Sequence, residues 1–240
     1  MEEKLYEIQF HEVDCLNRLK ETVLLNFLQD IAAVDAETIG VGYSKIRDKN
    51  IGWFLTKYHI NIFDPITDCQ KIKIKSWSQG AIKINCFRDF DIYNSENKKI
   101  GEATSCWLLN DLSTGKIIPP SELFDVFATP DKSTLRSNFP KIPQIKRIDY
   151  QGEHIALFSE LDVNRHVNNS IYLTWANDVL PIDILMTTRM SEVEIQYKKQ
   201  VKCGEKVIIN VEHDKENNTF THELKSENGD IVCMLRQKRI

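Results

Sequence analysis

The chain has 240 residues and a mass of 27.9 kDa, 42% hydrophobic and 28% charged, which suits one large or two small globular domains and excludes a disordered or coiled-coil chain. Thirty-one Lys and Arg against 35 Asp and Glu leave a formal charge of −4, so no global basic field points to nucleic acid. No apolar run approaches the ~18–20 residues of a membrane span, and Met1-Glu2-Glu3-Lys4 lacks the basic and apolar regions of a signal peptide, so a cytoplasmic protein without a membrane partner is expected.

Each half of the chain shows the same order of elements. In the first, Tyr6–Phe10 reads as a strand, and a helix is expected from about Thr22 to Ile39. Its stripe is Leu24, Phe27, Leu28, Ile31 and Val34, and Gly40 supplies the stop. Strands follow at Trp53–Phe63 and Lys71–Trp77, then a pair turning around Asn94–Lys99. Lys71-Ile72-Lys73-Ile74-Lys75 alternates as a strand with one wet face should. Five of the seven prolines fall between Pro119 and Pro143, in a stretch that also holds the breaker Thr129-Pro130-Asp131. Proline serves neither a central strand nor a helix interior, so residues 119–146 read as a linker between domains at 1–118 and 147–240.

The second half opens with a strand near Glu153–Ser159, then a helix over about Asn169–Val179 with Ile171, Tyr172, Trp175 and Val179 on one side and Pro181 beyond its end. Strands are expected at Glu192–Val201 and Lys206–His213. A hairpin closes the chain, Phe220–Leu224 and Ile231–Arg236 turning at Asn228-Gly229. Both hairpins carry Ser-Glu-Asn at the turn, Ser95-Glu96-Asn97 and Ser226-Glu227-Asn228. A long helix followed by an antiparallel meander, written twice, predicts an α+β chain of two helix-on-curved-sheet units.

The six cysteines form no Cys-x-x-Cys pair, so a zinc ribbon or thioredoxin-like motif is not expected, and the thiols read as free and mostly buried. The histidines outside the motif below show no metal-ligand spacing, and no nucleotide-binding glycine motif or Gly-x-Ser-x-Gly elbow is present. No metal or organic cofactor is expected.

The densest chemistry lies in Leu161-Asp162-Val163-Asn164-Arg165-His166-Val167-Asn168-Asn169-Ser170, just before the second helix. Asp162, Asn164 and His166 stand at every second position, which in extended backbone sends all three side chains one way. A carboxylate beside an imidazole can share general-base work, and an amide can fix a water. The N–H groups of Val167, Asn168 and Asn169 open the helix and are candidates for an oxyanion site. The competing reading is an ordinary cap, with Asn168 or Asn169 bonding orphan amides.

This stretch resembles the active-site motif of the acyl-acyl-carrier-protein thioesterases, including the Tyr and Trp that follow it. Ile51-Gly52-Trp53-Phe54-Leu55-Thr56-Lys57 and Ala103-Thr104-Ser105-Cys106-Trp107 resemble two further strands of that family, in the same order. The resemblance implies a double hotdog fold, catalytic Asp162, Asn164 and His166, and hydrolysis of a fatty acyl thioester on acyl carrier protein, by a monomer or homodimer. Where the family has a glutamate, and in many members a cysteine, this chain has Gln200 and Val201. Valine offers no nucleophile, and Gln200 can position a water without taking its proton. The base is then Asp162, His166 or both, with direct attack by Asp162 through an anhydride as the variant route. Asp14-Cys15-Leu16-Asn17-Arg18 precedes the first helix without a histidine, so one active site per chain is expected, the first half shaping an acyl pocket. Docking of an acidic carrier would use a local basic patch: Lys71, Lys73 and Lys75; Lys198, Lys199 and Lys202; or Arg236, Lys238 and Arg239. An acyl-CoA thioesterase, a non-hydrolytic acyl-binding module and a hotdog dehydratase are the alternatives.

Overall fold

Leu24, Leu25, Leu28 and Ile31 recur at helical spacing, and helix α1 (Glu21–Thr38) buries all four to 3% exposure or less. Val34, expected on that stripe, is exposed. Asp35 is buried in its neighbourhood because the Arg88 guanidinium donates to it at 2.5 Å and to Ser76 at 2.9 Å. The helix ends as its glycine requires. Gly40 takes φ +79°, its N–H bonds Glu37 O, and Val41 N–H bonds Ala36 O, the paired closure that left-handed backbone permits.

The computed structural model describes residues 1–67, 70–129 and 135–240 in two units, Met1–Phe139 and Pro140–Ile240. Cys69, and Pro130 and Asp131 of the expected breaker, lie outside the described residues. In the first unit α1 packs on strands β1 (Glu2–Glu7) and β3 (Lys71–Ile82), and a short helix α2 (Tyr43–Ile46) follows it. The remaining strands are β2 (Ile51–Ile62), β4 (Asn85–Tyr93), β5 (Lys99–Asp111) and the two-residue β6 (Ile117–Ile118). They pair in the order β1-β3-β4-β5-β2, antiparallel throughout, with β6 on β5. Ile72 and Ile74 are fully buried between the lysines, as the alternation predicts.

The second unit repeats the scheme. Its strands are β7 (Tyr150–Ile155), β8 (Met190–Tyr197), β9 (Lys206–Asp214), β10 (Thr219–Ser226) and β11 (Ile231–Arg239). Their order, β7-β9-β10-β11-β8, matches the first unit strand for strand. Helix α3 (Ile171–Asp178) begins two residues later than the spacing suggests, and α4 (Ile182–Thr187) follows Pro181 where no helix was foreseen. Gly152 is a required glycine: a Cβ there would come within 2.7 Å of Val179 Cγ2 just past the end of α3. Asn94 and Ser226 begin the two matched hairpin turns, with Asn97 and Gly229 at positive φ. The shared Ser-Glu-Asn is therefore displaced by one residue between them.

The proline-rich stretch does not hang free. In the first unit Trp53 packs on Phe124 and Phe127, Arg136 bonds Asp91 at 2.7 Å, Ser137 Oγ lies 3.0 Å from His59 Nδ1, and Phe139 stacks on Phe87. In the second, Gln196 donates to Pro140 O, and the N–H groups of Ile145 and Lys146 reach Glu223 and Glu212. Proline excludes helix and central strand, but it does not exclude an extended strap against one. Five described cysteines are free, with Cys86, Cys106 and Cys233 buried and Cys15 and Cys203 exposed.

Candidate active site

Residues 162–166 are not extended. Leu161 bridges Val167, Asp162 N–H bonds His166 O at 2.8 Å, and Arg165 N–H bonds Asp162 O at 3.0 Å with Arg165 at φ +63°. A tight turn, and not strand alternation, gathers Asp162, Asn164 and His166. The Asp162 carboxylate staples it: Oδ1 accepts the N–H of Asn164 at 2.8 Å and of His166 at 3.3 Å, and Oδ2 accepts Asn164 Nδ2 at 3.4 Å. The carboxylate thus touches the backbone of His166, with no side-chain bond to its ring. Nδ1 of that ring is buried and has no partner among the described residues.

Two of the three expected oxyanion donors already donate elsewhere. Val167 N–H bonds Val201 O at 2.9 Å, and Asn168 N–H bonds Glu160 O at 2.8 Å. Asn168 Oδ1 accepts the N–H and hydroxyl of Ser170, both at 3.0 Å, so the capping reading holds for that residue. Asn169 differs. Its carbonyl is pinned by the Tyr197 hydroxyl at 2.9 Å, and its N–H bonds nothing among the described residues. The available donor is Asn169 N–H.

Strand β8 stops at Tyr197, short of the expected Val201, so Gln200 and Cys203 stand exposed on a loop where strand-face parity has no meaning. Val201 is buried and fastens the turn of residues 162–166 through its backbone carbonyl, which accepts Val167 N–H. A tether made by the main chain needs no particular side chain, which is why valine serves there.

Glu160 was not singled out by the sequence and proves central. Its carboxylate accepts the N–H of Leu157 at 2.8 Å and of the Trp175 indole at 2.9 Å, and lies 3.0 Å from His154 Nε2. It ties the start of the turn to α3 and β7. Nearby, burial pushes the Asp178 carboxyl above its usual range, with His154 opposing and Glu160 adding to the rise. Burial also raises the Tyr172 hydroxyl, and the negative charge of Asp162 adds to the rise.

The first unit carries a bond-for-bond copy of this turn. Val13 bridges Leu19, Asp14 N–H bonds Arg18 O at 2.7 Å, and Asn17 takes φ +61°. Asp14 Oδ1 accepts the N–H of Leu16 at 2.9 Å and of Arg18 at 2.8 Å. Leu16 stands in the place of Asn164 and Arg18 in that of His166. The Arg18 guanidinium grips the other carboxylate oxygen at 2.8–2.9 Å. This copy has no amide at the place of Asn164 and no imidazole at that of His166, and its carboxylate is neutralised. Partial burial works against the Asp14 charge, but hydrogen bonds from Arg18 and Leu16 outweigh it and hold the carboxyl below its usual range.

Residues 2–124 match the acyl-ACP thioesterase N-terminal domain and residues 149–238 the acyl-ACP thioesterase C-terminal domain. The chain belongs to the acyl-ACP thioesterase family. It is 22% identical to the chloroplastic oleoyl-acyl carrier protein thioesterase of Coriandrum sativum over 92% of its length and 65% of that protein's. It is 25% identical to the palmitoyl-acyl carrier protein thioesterase of Gossypium hirsutum over 85% of its length and 52% of that protein's. The chain therefore spans less than two thirds of these relatives. Among solved structures, an acyl-ACP thioesterase from Bacteroides thetaiotaomicron aligns with a TM-score of 0.88 at 23% identity, over 100% of this chain and 97% of that one. The 12:0-ACP thioesterase of Umbellularia californica aligns with 0.84 at 17%, covering 99% and 96%. These likenesses establish the double hotdog fold.

Proposed function

We propose that the chain hydrolyses a fatty acyl thioester carried on acyl carrier protein, releasing free fatty acid and the carrier thiol. Family membership supports the reaction class. The observation that carries the site is the contrast between the two copies of the turn: only the second holds an amide and an imidazole beside a carboxylate not gripped by a guanidinium.

In this reading Oδ1 of Asp162 keeps the turn folded, and Oδ2 is the atom that works on the water. Asn164, hydrogen-bonded to Asp162, positions that water, and Gln200 is an additional orienting amide. With His166 assisting, Asp162 removes a proton as the water oxygen bonds the carbonyl carbon. The developing oxyanion is received by Asn169 N–H, a donor of the kind that contributes about 3 kcal/mol. Collapse breaks the C–S bond, and the proton taken from water passes to the departing thiolate. General-base help of this kind supplies roughly 10²–10⁴ in rate. The Asn169→Pro variant, which has no N–H, tests the donor: turnover should fall by about 10²-fold or more, and unchanged turnover on a folded variant would remove Asn169 from the site.

An acyl-CoA substrate presents the same thioester, and relative kcat/KM on the two carriers decides between them.

A further inference from the structure

Three large apolar side chains stand in water around the catalytic turn: Leu157 at 52%, Phe158 at 83% and Val163 at 93% exposure. The short helical turn of Phe158–Glu160 is held against the catalytic turn by the Asn168-to-Glu160 bond. The loop of residues 198–205 is laced to the same region by Val167 N–H to Val201 O, Gly204 N–H to Ala156 O and Ala156 N–H to Glu205 O. Two cations stand on this rim, Arg165 on the turn and Lys202 on the loop. Neither the Arg165 guanidinium nor the Lys202 ammonium bonds any described residue. Elsewhere, several basic candidates are tied down: Lys73 to Asn97, Lys75 to Glu3, Lys199 to Asp230, while Arg239 is buried.

We propose that this rim, Leu157, Phe158 and Val163 with Arg165 and Lys202, is the face on which an acidic acyl-carrier domain docks. The inference rests on the hydrolytic reading above and names its partner surface. A carrier that delivers a thioester to Asp162 must rest its body beside that turn. An apolar patch flanked by uncommitted cations fits a partner that offers an apolar face ringed by carboxylates. A net charge of −4 on the whole chain leaves local cations such as these to receive it. The first unit supplies the contrast. Phe10 is 86% exposed on the matching short turn, yet Cys15 replaces Val163, and Arg18 is locked on Asp14.

The test uses the full chain, an acidic holo-acyl carrier protein, long-chain acyl thioesters of that carrier, and the uncharged S-acyl pantetheine. The double variant Phe158→Ser/Arg165→Asn removes one apolar and one cationic contact, and asparagine tolerates the positive φ at 165. Phe10→Ser is the matched control. Carrier binding by fluorescence anisotropy should weaken about tenfold or more in the double variant, with an equal loss of kcat/KM on the carrier substrate. S-acyl pantetheine turnover should change by less than about twofold, and Phe10→Ser should leave both substrates within that range. Unchanged carrier binding, an equal loss on S-acyl pantetheine, or an equal loss in Phe10→Ser would overturn the proposal. Carrier binding that is lost in the double variant, in a chain that hydrolyses neither substrate, would uphold the docking face and sink the hydrolytic reading instead.

Discussion

Asp162 and Asp14 make the same staple in two copies of one turn, so changing each to asparagine separates what the carboxylate does for the fold from what it does for the reaction. In Asp162→Asn the amide oxygen still accepts the N–H groups of Asn164 and His166. A hydrogen bond to a charged acceptor contributes about 1.5–3 kcal/mol and one to a neutral acceptor about 0.5–1.5, so the stability loss should be about 1–2 kcal/mol. Turnover should fall by roughly 10²–10⁴, because an amide cannot take the proton of water. Asp14→Asn loses the same charge-assisted staple and a partly exposed ion pair with Arg18 that adds at most ~1 kcal/mol. Its turnover should be unchanged. The folded Asp14 carboxyl is held below its unfolded value, so its contribution is complete above that value and is lost as pH falls through the folded one. The stability gap between native chain and Asp14→Asn should therefore begin to narrow below about pH 4. Urea unfolding measures the first effect and thiol release the second. Equal losses of turnover in the two variants, or none in Asp162→Asn, would refute the assignment of the base.

His222 is fully buried, and burial first, then Arg239, lowers its pKa to about 3. Gln237 Nε2 donates to its Nε2 at 2.8 Å, a bond that the protonated ring would lose. A folded value below the unfolded one means stability is complete above about pH 6.5 and falls below it; urea titration of native chain and His222→Leu should show a native-specific loss of up to about 2 kcal/mol at pH 5, and parallel curves would contradict the buried neutral ring. Trp175→Phe removes the indole N–H that Glu160 accepts together with part of a buried ring, so unfolding free energy should drop by at least about 1–3 kcal/mol; a change within ~0.5 kcal/mol would be that of an ordinary surface substitution and deny Glu160 its anchoring role. Gln200→Glu adds a group able to accept the water's proton, and kcat should rise by about tenfold or more. An unaltered kcat would take residue 200 out of the mechanism.

The fold was largely legible because its determinants are local and periodic. The stripe of α1, the alternation of Ile72 and Ile74, and glycines or asparagines at turns each act within a few residues. Val34 was expected inside and Asp35 was passed over because a guanidinium from a strand far along the chain makes a buried carboxylate favourable, which periodicity cannot register. At the site, Asp162, Asn164 and His166 were singled out by their density and by family resemblance, whereas the argument from strand alternation did not apply to a turn. The turn signal was present in the paired Asp14-x-x-Asn17 and Asp162-x-x-Arg165, visible only when the halves are aligned on their structure. Val167 and Asn168 lost their expected role to main-chain acceptors on Val201 and Glu160, and main-chain partners leave no mark on side-chain identity. Glu160 escaped notice because its partners, His154 and Trp175, come from β7 and α3 on either side of it.

The central claim is that this chain turns over acyl-carrier thioesters. Thiol release from a panel of carrier thioesters with acyl chains of different length tests it most directly. The account predicts multiple turnovers on at least one length, with one free fatty acid formed per thiol released. An acyl carrier bound without thiol release, across all lengths, would contradict it and make the chain a binding module.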